Sequence, residues 1–160
     1  MENFQKCLFG LFLWSTSFIL TINANDVSEI LEKAKSIQKT DPQQSIVFLS
    51  EELESIKLIA EERGQLFYLQ GKIYYKDLAD KENALGKFYN ALRYFRESKN
   101  QEKEYECLIY IAVSFKNLFH YDYAIDYYNE VLVLEGLDST KIKSAQYNLA
   151  VVLKLNTMLF

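Results

Sequence analysis

The sequence predicts an all-α protein, an α-solenoid built from antiparallel helix hairpins. Three observations carry that prediction. Apolar residues recur at three- and four-residue intervals from Asp26 onward, the period of one helix face. Pro occurs once and Gly five times in 160 residues, fewer than the tight turns of a sheet protein usually need. The chain also resembles itself. When residues 67–95 are set above residues 108–134, Gly71 meets Ala112, Tyr74 meets Phe115, and Ala84 meets Ala124. In the same alignment Phe88 meets Tyr128 and Ala91 meets Val131.

The elements follow in chain order. "CLFGLFLWSTSFIL", residues 7–20, is apolar apart from Ser15, Thr16 and Ser17, and is shorter than the roughly 20 residues of a membrane span. Lys6 precedes it, and Ala24 offers a small residue at a cleavage point. This is the pattern of a secretory signal peptide over residues 1–24, with an uncleaved membrane anchor as the alternative. That signal leads to the expectation that the mature part, residues 25–160, is exported to the periplasm; no second apolar stretch approaches membrane length. Val27, Ile30, Leu31, Ala34 and Ile37 make the first helical face. Asp41 can cap the second helix, with Pro42 in its first turn, where a missing N–H costs nothing. Helices are expected near 61–77, 81–96, 102–118 and 121–134, and the last begins near Lys141. Gly136 reads as a stop before it, with Asp138 or Ser139 as a cap.

The repeat divides the chain into a degenerate copy at about 26–60, copies at 61–100 and 101–137, and an incomplete copy at 138–160. In the last, Leu149, Ala150 and Leu153 match Ile111, Ala112 and Phe115. Ala112, Phe115, Ala124, Tyr128 and Val131 together resemble the motif of the tetratricopeptide repeat (TPR) family. Gly71, Tyr74, Phe88 and Ala91 fit it with one inserted residue before Ala84. Small residues let the helices of a hairpin approach, and the aromatic ring fills the space beside them. The resemblance covers nearly all of residues 26–160. Gly71 to Ala112 spans 41 positions and Ala112 to Ala150 spans 38, against about 34 in the standard repeat. Long-period arrays of this kind look like those of bacterial sensor and regulator proteins.

The resemblance implies a protein or peptide partner held by the first helices of the hairpins. By position, the groove wall is Tyr68, Lys72, Tyr75 and Lys76, then Ile109, Val113 and Lys116, then Tyr147, Val151 and Lys154. Such a wall accepts an extended peptide or helix with some negative charge. Surface solvation or packing between repeats is an equally open role for these residues. The Lys/Asn clamp of some TPR co-chaperones does not match, because Tyr68 and Ile109 stand where its polar residues belong.

Catalysis has no support in the residues. His120 is alone at a turn, no His/Cys cluster has metal spacing, and the glycines form no phosphate loop. Neither a cofactor nor a metal is expected. Glu51, Glu52, Glu54, Glu61 and Glu62 spread over exposed helix faces rather than pairing as acid and base. Cys107 reads as a buried small hydrophobe. A net charge of −4 without a basic block argues against nucleic acid. In "YDYAIDYYNEVL", residues 121–132, the helical period assigns Tyr121, Ala124, Tyr128 and Val131 to the core. Tyr123 and Tyr127 form an i,i+4 pair facing the neighbouring repeat or, alternatively, a ligand.

The incomplete last copy leads to the expectation of a fragment or truncated copy of a longer protein, the alternative being a short chain whose open end meets a partner. Two function classes are expected from these features. One is an exported, non-catalytic scaffold that binds proteins. The other is the periplasmic sensory region of a membrane-bound histidine kinase or GGDEF-type diguanylate cyclase. No membrane contact by the mature repeats is expected unless the signal stays as an anchor.

Overall fold

The computed structural model describes residues 24–158. Except for Ala24, which opens the first helix, the expected signal peptide and Cys7 lie outside the described residues. These residues form seven helices. They are α1 (Ala24–Gln38), α2 (Pro42–Ser55), α3 (Ala60–Lys76), α4 (Lys81–Glu97), α5 (Gln101–Asn117), α6 (Tyr121–Leu132) and α7 (Ser139–Thr157). No strand occurs among the described residues, and no helix there is long and apolar enough to cross a membrane.

Short polar side chains start most of the helices by satisfying backbone donors that have no intrahelical partner. Asp41 accepts from the Gln44 N–H at 2.9 Å, with Pro42 in the first turn. Asp80 accepts from the Asn83 N–H at 3.0 Å, and Asn100 from the Lys103 N–H at 3.0 Å. Asp138 accepts from the Thr140 and Lys141 N–H groups at 2.8 and 2.9 Å. α3 begins differently: the Ile59 N–H donates to the Glu62 carboxylate at 2.9 Å.

The turns after α3, α4 and α5 share one construction. Ala79, Lys99 and Phe119 sit in the left-handed region, with φ of 54°, 58° and 63°. The next amide in each turn bonds back across it: Asp80 to the Tyr74 carbonyl at 2.9 Å, Asn100 to Phe95 at 2.9 Å and His120 to Phe115 at 3.0 Å. After α4 and α5 this is the six-to-one bond that closes a helix C-terminus; the turn after α3 is one residue longer, its six-to-one bond running from the Leu78 amide to the Ile73 carbonyl at 3.2 Å, and none of the three left-handed residues is glycine. α6 ends at Leu132 rather than at Leu134 as the period predicts. The Val133 and Leu134 amides bond three residues back, to Glu130 and Val131, so the last turn tightens and stops. Gly136, at φ 72°, then redirects the chain.

Consecutive helices pack on one another throughout the described residues, which form a solenoid-like stack of hairpins. Odd-numbered helices touch odd, and even touch even. Tyr68 and Tyr75 of α3 meet Tyr110 of α5. Tyr89 of α4 bonds Tyr127 of α6, and Arg96 of α4 pairs with Glu130 of α6. The core runs between these two layers. Leu49, Leu66, Ile73, Phe88, Phe95, Leu108, Ile111, Tyr128 and Val152 are among its buried side chains.

The small residues are small because rings occupy the space beside them. A Cβ on Gly71 would lie 2.7 Å from the Phe88 ring, and one on Gly64 would lie 2.7 Å from the Phe95 ring. Ala112 and Tyr128 are buried together with Ala124 and Val152 in the cluster that joins α5, α6 and α7. Tyr121, Ala124, Tyr128 and Val131 are all buried, while Tyr123 is 58% exposed.

Candidate interaction face on the odd-numbered helices

The ten groove residues all lie on α3, α5 and α7, but in different surroundings. Tyr68 and Tyr75 are half-buried. Tyr110 of the next hairpin stacks on Phe88 at 4.7 Å and stands edge-on to Tyr68 at 5.9 Å and to Tyr75 at 5.6 Å. The Asn117 amide donates to the Tyr75 hydroxyl at 2.8 Å. Both tyrosines are therefore held by neighbours as well as facing outward. Ile109 packs on two core clusters and Val113 on one of them. Lys72, Lys116 and Val151 are half-buried, and Lys76 and Lys154 are exposed. Tyr147 is 71% exposed.

A polar knot ties α3 to α5. The Glu106 carboxylate accepts from Lys103 at 2.9 Å and lies near the Tyr68 hydroxyl. Burial pushes Glu106 up, but the Tyr68 hydroxyl, Lys103 and Lys72 outweigh it and hold the carboxyl below its usual range. Burial and the Glu106 charge push the Tyr68 phenol well above the usual range. The Lys72 and Lys103 ammoniums stand 5.5 and 5.1 Å from the Tyr68 ring centre, within cation–π reach. Burial, together with Lys76 and then Lys103 and Lys35, lowers the pKa of Lys72 despite the opposing Glu106.

Two clefts open between α1 and α3. The first, about 320 Å³, is lined by Val27, Leu31 and Ile59 together with Glu32, Glu61 and Glu62, and reaches Lys35. The second, about 660 Å³, lies at the C-terminal turns of both helices and is lined by Lys35, Gln38, Lys39, Pro42, Lys76 and Asp77. The Gln38 amide donates to Asp77 across it at 2.7 Å.

Tyr110, Lys103, Glu106, Lys35 and Lys39 were not part of the expected wall. Ala34 is the small buried residue of α1, where Gly71 is that of α3. Aligning the two puts Lys35 beside Lys72 and Lys39 beside Lys76, a signal present in the degenerate first copy.

The remaining candidates are accounted for locally. His120 precedes α6 without a side-chain cap bond, exposed and edge-on to Phe115 and Tyr123. Phe115 stacks between Tyr123 and Tyr127, at 5.1 and 5.7 Å. The Tyr127 hydroxyl donates to the Tyr89 hydroxyl at 2.9 Å, so this flank meets the preceding hairpin. Cys107 is buried, and burial pushes its thiol far up, away from the reactive thiolate. Among the described residues no group of His, Cys, Asp and Glu could hold a metal ion. Comparison with family models, with curated proteins and with solved structures yields no significant match.

Proposed function

We propose that the chain is a non-catalytic interaction module of the TPR type, exported by its leader, that holds a protein or peptide partner on the face of α1, α3, α5 and α7. The observation that carries this reading is a row of lysines. Lys35 and Lys39 on and just after α1, Lys72 and Lys76 on α3, Lys116 on α5 and Lys154 on α7 recur at related places in successive hairpins. Beside them stand Tyr75, Tyr147 and Val151. Lysine and aromatic side chains along one layer of a helical stack favour a polypeptide carrying negative charge and apolar side chains. The small-and-aromatic pairing of Gly71 with Phe88 supports the family reading, since it is the packing that the family's motif serves.

Site-specific photocrosslinking tests this function. A photoreactive residue at Lys116 or Val151 is expected to give a partner adduct in cells, and one at Asp126, on the even-numbered layer, is not. Equal adducts from both layers, or none from the odd-numbered layer, would remove the reading.

A further inference from the structure

The odd-numbered face is not uniform. Between α3 and α5 the side chains answer one another: Tyr110 sits between Tyr68 and Tyr75, and Glu106 takes Lys103. Between α1 and α3 they leave open space with charge of opposite sign at its two ends. At the C-terminal end Lys35, Lys39 and Lys76 line one cleft.

Few of these charges are neutralised internally. Lys35 pairs with Glu32 at 2.8 Å. Among the described residues no carboxylate lies within ion-pair distance of Lys39, Lys72 or Lys76. Asp77, the one carboxylate lining this cleft, receives the Gln38 amide. Lysines in a last helical turn also complement the helix dipole. That role does not account for Lys39, beyond the end of α1. Convergent like charges raise the energy of the empty cleft, and an anionic group placed among them relieves it.

The opposite end limits what the anion can be. Glu32, Glu61 and Glu62 line the neighbouring cleft together with Val27, Leu31 and Ile59. A polyanion continuing along the face would run into these carboxylates. A polypeptide with a short acidic run followed by apolar residues would not.

We propose that the cleft at the C-terminal turns of α1 and α3 is the docking site for a short acidic segment of a partner polypeptide, with Lys35, Lys39 and Lys76 receiving its carboxylates and Leu31 and Ile59 of the neighbouring cleft its apolar flank. This rests on the reading of the odd-numbered helices as the interaction face, and sharpens it to one pair of helices and one chemistry.

The test uses the full mature chain, isotope-labelled, and amide shift mapping by NMR. The probes are a short peptide with a glutamate run next to leucines, the same peptide with glutamines for glutamates, and a single-stranded oligonucleotide. The glutamate peptide is expected to move the amides of residues 35–41 and 72–77, and the glutamine peptide to bind at least about tenfold more weakly. Lys39→Ala and Lys76→Ala, both exposed positions, are each expected to weaken the glutamate peptide by about fivefold, and Lys143→Ala to leave it unchanged. Shifts confined to α5 and α7 would overturn the cleft and leave the interaction face standing. No shift on any odd-numbered helix with either peptide would overturn both. Tighter binding of the oligonucleotide to the same amides would overturn the choice of a polypeptide.

Discussion

Gly71 and Gly86 are both helical glycines with opposite expected responses to a methyl group. A Cβ at Gly71 meets the Phe88 ring at 2.7 Å, and that ring is held by Tyr110 stacked on it. Overpacking costs about 1–3 kcal/mol, more than the 0.5–1 kcal/mol that alanine gains over glycine in a helix. Gly71→Ala is therefore expected to lower stability in denaturant titration. At Gly86 nothing lies within 4 Å, so Gly86→Ala is expected to raise stability by about 0.5–1 kcal/mol. Tyr128 separates ring from hydroxyl in the same way. Its ring is fully buried, and its hydroxyl is buried without a hydrogen-bond partner among the described residues. Burial pushes the phenol up to about 12. Tyr128→Ala is expected to cost about 3–5 kcal/mol, whereas Tyr128→Phe removes an unpaired polar group and is expected to be neutral or stabilising. Tyr123→Ala, at a largely exposed ring, is expected to cost much less than Tyr128→Ala.

At the scale of the element, helix starts were more legible than the turns that end them. Asp41, Asp80 and Asp138 are short acceptors just before a periodic apolar run, and each caps as its chemistry dictates. The left-handed turns at Ala79, Lys99 and Phe119 carry no glycine and so gave no local signal. A side chain in that conformation costs about 1–2 kcal/mol, which the six-to-one bond and the packing of the next helix offset. Lys99→Gly relieves that strain at an exposed position, against a smaller entropic cost in the unfolded chain. It is expected to raise the melting temperature, corresponding to about 0.5–1 kcal/mol. The same limit applied to the site. That Tyr68 and Tyr75 lie on the odd-numbered layer follows from the helical period. That they are half-buried depends on Tyr110, which the fold delivers from another hairpin.

Across the whole molecule the net charge is −4, yet four carboxyls are held below their usual range for local reasons, the first being Glu32 through its hydrogen bond from Lys35. At Asp80 the cause is the Asn83 side chain and amide; at Asp138 it is chiefly the Lys141 amide. At Glu106 burial opposes the shift, and the Tyr68 hydroxyl and the lysines prevail. A carboxyl lowered in the folded state favours folding above its unfolded pKa. That contribution is lost as pH falls through the folded value. Thermal stability is therefore expected to hold from neutral pH to about 5 and to decline below about 4, the range where unperturbed carboxyls titrate. Scans across that range by circular dichroism check it.

The α2–α3 junction has one more consequence. Phe67 and Tyr74 of α3 pack against both of the larger core clusters, and α3 is fastened broadly to α4. Its contact with α2 is thinner, and its buried polar tie is Gln70, which donates to the Ile46 carbonyl at 3.2 Å and to Ser50 at 2.8 Å. Local opening follows the thinnest packing, so the first hairpin is the unit that swings most readily. Lys35 and Lys39 travel with that hairpin while Lys72 and Lys76 stay with the rest. The width of the basic cleft is thus the reading of a hinge, and whatever bridges its two sides acts as the latch.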